Sequence, residues 1–138
     1  MRVSLIALAL LAFAPGSYSE ITDCSKGTSY FKVNALGFWP DPPVKGENST
    51  ISFDYTVPDG PAIDKGTAKY SVTYNFIPIS PTTEDLCLST TCPILPGTYN
   101  QSTSSTFPTG LTGTVITKIQ WFDVNSKELF CAQIKVKV

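Results

Sequence analysis

Apolar residues occupy every second position from Thr50 to Val57: Ile51, Phe53, Tyr55 and Val57, with Thr50, Ser52, Asp54 and Thr56 between them. Strict alternation is the signature of a strand with one buried and one wet face. The same period runs from Thr67 to Phe76, where Tyr70, Val72, Tyr74 and Phe76 oppose Lys69, Ser71, Thr73 and Asn75. It returns at the end of the chain, with Phe130, Ala132, Ile134, Val136 and Val138 set against Gln133, Lys135 and Lys137. Phe31, Val33 and Ala35 predict an earlier strand, and Val115, Ile119 and Trp121 a penultimate one. No stretch carries a helical period.

Turn residues separate these runs at Pro40 to Gly46, Pro58 to Pro61, Pro78 to Pro81, Pro96-Gly97, Pro108 to Gly110 and Asn125 to Lys127. Six turn regions imply about seven strands, the number in an immunoglobulin-like two-sheet β-sandwich. Tyr99 to Phe107, rich in Ser and Thr, reads as an edge strand whose polarity discourages pairing with other chains. Alternation alone favours an ordinary close-packed core, because protein interiors leave few voids.

The first residues change the setting. Arg2 precedes an apolar run from Leu5 to Ala14, and Ser17 and Ser19 place small residues before Glu20. This is the form of a secretory signal, and the run is about half the ~20 residues that a membrane span needs. The expectation is a signal over 1–19 and one domain over 20–138, secreted or in the lumen of the secretory or endolysosomal pathway. In that setting Asn48-Ser49-Thr50 and Asn100-Gln101-Ser102 are glycosylation acceptors at Asn48 and Asn100.

Past the signal, nine lysines and no arginine face eleven acidic residues, a net charge of −2. That balance argues against nucleic acid as a partner. The chain has no histidine, which excludes Ser-His-Asp and Cys-His catalysis and His-ligated zinc. Carboxylate chemistry of the glycosidase type is the enzymatic alternative, yet Asp54, Asp64, Glu84, Asp85 and Asp123 read as turn and surface residues. No enzyme, metal or cofactor is expected.

Cys24, Cys87, Cys92 and Cys131 have the spacing of a local clip plus a staple between the chain ends, although four cysteines allow three connectivities. A Cys24–Cys131 bridge would leave the middle of the sandwich unpinned, unlike the central bridge of an immunoglobulin domain.

Three motifs occur together: Pro40-Asp41-Pro42-Pro43-Val44-Lys45-Gly46 after the first strand, Asp85-Leu86-Cys87 with Cys92-Pro93-Ile94 and Pro96-Gly97, and a cysteine early in the last strand. In these the chain resembles the ML lipid-recognition family, in its phosphatidylglycerol/phosphatidylinositol transfer branch. The resemblance implies sheets that part to hold acyl chains, no catalysis, and the pairings Cys24 with Cys131 and Cys87 with Cys92. The third, early bridge usual in the family's Niemann-Pick sterol carriers is missing, so sterol specificity does not transfer.

On that resemblance the inward residues become a lipid lining: Phe31, Val33, Phe53, Tyr55, Tyr70 and Val72, then Tyr74, Phe76, Ile119, Trp121, Phe130 and Ile134. Ile94, with Leu95, is either part of a plain turn or a lip that touches membrane. The expected partners are a phospholipid and, transiently, a membrane, with the protein a monomer. A sterol carrier of the same fold and a secreted lipid-sensing or adhesion module are the alternatives.

Overall fold

The structure, a computed structural model, describes residues 18–138. Residues 1–17 of the expected signal lie outside the described residues, and Tyr18 and Ser19 stand in the first strand. Eight strands and one helical turn make up the described chain: β1 (Tyr18–Asp23), β2 (Lys32–Trp39), β3 (Asn48–Val57), β4 (Gly66–Tyr74), β5 (Ile77–Asp85), α1 (Leu86–Ser89), β6 (Gly97–Thr106), β7 (Thr114–Asp123) and β8 (Glu128–Lys137). They form a five-stranded sheet in the order β1-β8-β7-β4-β5 and a three-stranded sheet in the order β2-β3-β6, all pairs antiparallel.

The alternating segments behave as their period dictates. On β3, Phe53, Tyr55 and Val57 are buried, and on β8, Phe130, Ala132, Ile134 and Val136. Between the sheets Phe31, Phe53, Tyr55, Trp121 and Phe130 form one aromatic cluster, with Trp121 and Phe130 ring centres 4.9 Å apart and Phe53 edge-on to Phe130 at 5.2 Å. Offset and edge-on contacts of this kind add to the burial of the rings themselves.

Three expectations are corrected. The Pro78 to Pro81 turn is instead the body of β5, an edge strand exposed along its whole length; proline is tolerated there because an edge leaves one row of backbone donors unused. With β5 and β1 the strands number eight, against about seven expected. On β2 a bulge between Val33 and Ala35 shifts the face. Ala35 is exposed, and Leu36 and Phe38 turn towards the core in its place. A bulge inserts one residue and so reverses every later side chain.

The bridges are Cys24–Cys131, with Cα atoms 5.2 Å apart across 107 residues, and Cys87–Cys92, at 5.4 Å across five. The first continues the β1–β8 ladder one step beyond the Asp23–Ala132 pair. It therefore lies within one sheet and leaves the space between the sheets unpinned. The second closes the loop around α1, whose first turn is capped by the Asp85 carboxylate accepting from the Cys87 N–H at 2.8 Å. Leu86 anchors that turn, fully buried against Gly66, where any side chain would run into Leu86 and the Phe122 carbonyl.

Candidate lipid site

The sheets differ in width, and the site follows from that difference. β2 lies against β1 and β8, closing one side of the sandwich, but no comparable approach links β6 to β4 or β5. Paired residues of neighbouring strands share a face, so Ile79 stands beside Val72 and Ile77 beside Tyr74 on the inner face. They are nevertheless 52% and 67% exposed, because the narrower sheet ends at β6 and nothing covers β5.

Along this open side the interior is unevenly filled. Where β3 runs towards Val57 the aromatic cluster occupies the space. At the other end of the same strands a cavity of about 310 Å³ remains, lined by Phe38, Ile51, Val72, Val115, Ile134 and Val136 and roofed by Phe107, Pro108 and Leu111 of the β6–β7 loop. Between the two lies a space of about 190 Å³ bounded by Phe53, Tyr70, Thr103, Ile119 and Trp121. Phe53 and Ile51, Tyr70 and Val72, and Ile119 and Thr117 are successive inward positions on their strands, so the two spaces follow one another along the open side and are together called the cleft.

Two buried polar atoms lack hydrogen-bond partners among the described residues, Ser49 Oγ and Trp121 Nε1. Each belongs to a wall of this cleft. An unpaired buried donor costs about 1–3 kcal/mol.

A third, larger hollow of about 800 Å³ opens where the clip loop faces β6. It is lined by Ser89, Thr90, Thr91, Asn100 and Gln101 over Tyr55 and Tyr99, whose rings stack at 5.6 Å. Gln101 ties its walls together, accepting from the Tyr55 hydroxyl at 3.3 Å and donating to the Ser89 carbonyl. Leu88, Ser89 and Gln101 also border the middle space, so the groove adjoins the cleft. At that junction Glu84 accepts from the Ser89 hydroxyl at 2.6 Å and the Tyr70 hydroxyl at 3.0 Å. Burial pushes the Tyr70 hydroxyl up from its ordinary pKa, with Ser89 opposing and Glu84 adding to the rise. Tyr55 is likewise pushed up, chiefly by burial, against a lowering contribution from Thr90.

Of the lining expected from sequence, Phe31, Phe53, Tyr55, Trp121 and Phe130 fill the packed half, and Val33 is half-buried against the same cluster. Tyr70, Val72, Ile119 and Ile134 border the open cleft. Tyr74 lines neither space; its hydroxyl donates to the Thr112 carbonyl at 3.0 Å. Phe76 is not in the interior. It sits in the two-residue β4–β5 turn, 78% exposed, with φ of 66° following Asn75 at 47°; a hairpin turn of this type interrupts the alternation and turns its residues outward. Ile94 is not a lip either: it is buried, with its backbone paired to Ile63, while Leu95 is 52% exposed. Sequence reasoning missed Leu36, Phe38 and Ile51's neighbour Leu111 as cavity or core residues, and the polar groove altogether; the Ser/Thr run beside Cys92 was its only signal.

A family model, that of the ML domain, matches residues 18–138. The chain belongs to the ML-domain family. That is a family of lipid-binding and lipid-transfer proteins, not of enzymes, in agreement with the sequence reading. Two Dictyostelium discoideum proteins are similar to this ML domain. "Putative phosphatidylglycerol/phosphatidylinositol transfer protein 1" is 31% identical over 103 residues, covering 73% of this chain and 67% of that protein. Number 3 of the same series is 33% identical over 96 residues, 68% of this chain and 62% of that protein. This ML domain thus spans about two thirds of the length of these relatives. In fold it is similar to a Niemann-Pick type C2 protein from Japanese carpenter ant, with a TM-score of 0.63 at 12% identity, covering 84% of this chain and 96% of that one.

Proposed function

We propose that this ML domain carries phospholipid, of the phosphatidylinositol and phosphatidylglycerol type, between membranes, from the lumen of the secretory pathway or outside the cell. The observation that supports it most is the hollow, apolar half of the cleft, unfilled where a close-packed sandwich would have side chains. A methylene left in water costs about 0.8 kcal/mol, so a carrier must offer acyl chains surroundings as apolar as the bilayer. Transfer between two such places then needs no energy source.

The end of the sandwich that holds this cavity is the end that meets the membrane. Trp39 at the end of β2 is 72% exposed and Val44 in the following loop 43%, on one side; Phe76 and Ile77, at 78% and 67%, stand on the other. A bulky residue at positive φ costs of order 1–3 kcal/mol, and glycine would suit the position of Phe76 better. An exposed ring at this position fits contact rather than the turn. The acyl chains leave the bilayer along the uncovered face of β5.

Vesicles with labelled phosphatidylinositol, phosphatidylglycerol and a sterol test the reading, together with mass spectrometry of copurifying lipid. Transfer of phospholipid is expected, and Phe76→Gly should slow it without lowering stability. No transfer and no copurifying lipid would sink the carrier reading, and sterol transfer alone would move the protein to the sterol carriers.

A further inference from the structure

We infer that the groove between the clip loop and β6 seats the headgroup of the bound lipid and selects hydroxyl-rich, uncharged polyols such as inositol and glycerol. This rests on the carrier reading. The groove borders no charged side chain; its walls are the hydroxyls of Ser89, Thr90 and Thr91, the amide of Gln101, and two tyrosines. Ser89, Gln101 and the two tyrosines already hydrogen-bond within the protein, so what the groove offers a polyol is chiefly the neutral hydroxyls of Thr90 and Thr91. They give a bare phosphate nothing beyond neutral hydrogen bonds, since the strong phosphate partners are arginine and lysine.

The neighbourhood sharpens the choice. The Glu84 carboxylate stands where the groove joins the cleft, and only its Oε1 is engaged, by Ser89 and Tyr70. A carboxylate accepts hydrogen bonds, so its free Oε2 is an acceptor for the polyol hydroxyl that flanks the phosphodiester at this junction. Tyr55 and Tyr99 cover each other's faces by stacking, leaving no open aromatic cage for a quaternary ammonium.

Position supports the same assignment. The groove lies at the Val57–Gly97 end of the β3–β6 ladder, and the apolar cavity at the Asn48–Thr106 end. A lipid with its headgroup in the groove therefore trails its chains through the middle space into the cavity, towards the end that carries Trp39 and Phe76. It can rise out of a bilayer headgroup first along the uncovered cleft, with the polar part in contact with water throughout. The Cys87–Cys92 bridge holds the hydroxyl-bearing loop in shape for this task.

The test uses the full domain with four lipids of identical acyl chains: phosphatidylinositol, phosphatidylglycerol, phosphatidylcholine and phosphatidic acid. The first two should bind about tenfold more tightly than the last two, the yield of one or two net hydrogen bonds. Thr90→Val with Thr91→Val keeps side-chain shape and should bring all four within about twofold, leaving phosphatidylcholine binding as it was. Equal affinity for all four in the unaltered protein, or an equal loss for all four in the variant, overturns the headgroup site while the carrier reading stands. Failure of every lipid to bind removes both. As a second measurement, glycerophosphoinositol, which has no acyl chains, should shift the backbone amide resonances of Thr91 and Gln101 and leave those of Val72 and Ile134 unmoved. Shifts at Val72 and Ile134 instead would overturn the assignment.

Discussion

The two halves of the sandwich interior are built from the same strands and the same alternation, yet one is solid and the other hollow. At the clip end Phe31 stacks on Tyr55 at 5.5 Å, and Tyr55, Trp121, Phe53 and Phe130 close the space in a network of tilted and edge-on rings. At the opposite end β3, β7 and β8, joined by β4, carry Ile51, Thr117, Ile134 and Val72, smaller side chains that do not reach across. Side-chain size against a fixed sheet separation decides the difference. The aromatic half supplies stability, and so frees the aliphatic half to remain open.

The largest effect should come from breaking the solid half. Phe130→Ala removes a fully buried ring from the centre of the cluster and should cost about 3–5 kcal/mol in denaturant unfolding. Val72→Ala, at the cavity wall, should cost far less; equal losses would mean that both halves are packed alike.

Next come the bridges. Replacing Cys24 and Cys131 with alanine opens a 107-residue loop and should cost about 2–5 kcal/mol. Replacing Cys87 and Cys92 opens a loop of five, so its main consequence should be weakened lipid binding at the groove with a smaller drop in melting temperature. Non-reducing peptide mapping of the unaltered protein should recover the same two linked pairs.

Filling the hollow half sharpens the contrast from the other side. In a close-packed core Val72→Trp would cost about 1–3 kcal/mol. Here the melting temperature should stay nearly constant while lipid transfer is lost, because the indole takes the room of an acyl chain. A substantial fall in stability would show the cavity to be filled.

The smallest effect concerns pH. Burial raises Tyr55 above its ordinary pKa of 10.0, so the folded protein keeps a proton that the unfolded chain releases. The stability this represents is complete below pH 10 and is lost as pH rises through the folded value. Tyr55→Phe also removes the hydrogen bond to Gln101. It should cost about 1 kcal/mol near neutrality and flatten the alkaline decline measured by denaturant titration above pH 10.

Strands β3, β4, β7 and β8 were legible because each has one wet and one dry face, and the period of two survives in the sequence. β5 was not. Uncovered on its inner face, it needs no alternation, and its prolines imitate a turn. The bulge in β2 hid Leu36 and Phe38, since one inserted residue reverses the pattern without altering composition. Phe76 continued the β4 alternation by one step past the strand's end, into a hairpin turn that the pattern could not announce. The polar groove left only the Ser/Thr run beside Cys92 in the sequence, since Ser89 to Thr91 and Gln101 come together only when the clip loop folds over β6.

By itself the amino-acid order determined the all-β class, the inward faces, the absence of histidine chemistry and, through its motifs, the family. Local periodicity and residue type carry all of these, and neither depends on what lies across the sheet. Which inward residues meet a partner and which face empty space was decided only by the tertiary structure. A three-stranded sheet laid over a five-stranded one covers β7 and β8, leaves β5 bare, and brings rings together at one end but not at the other.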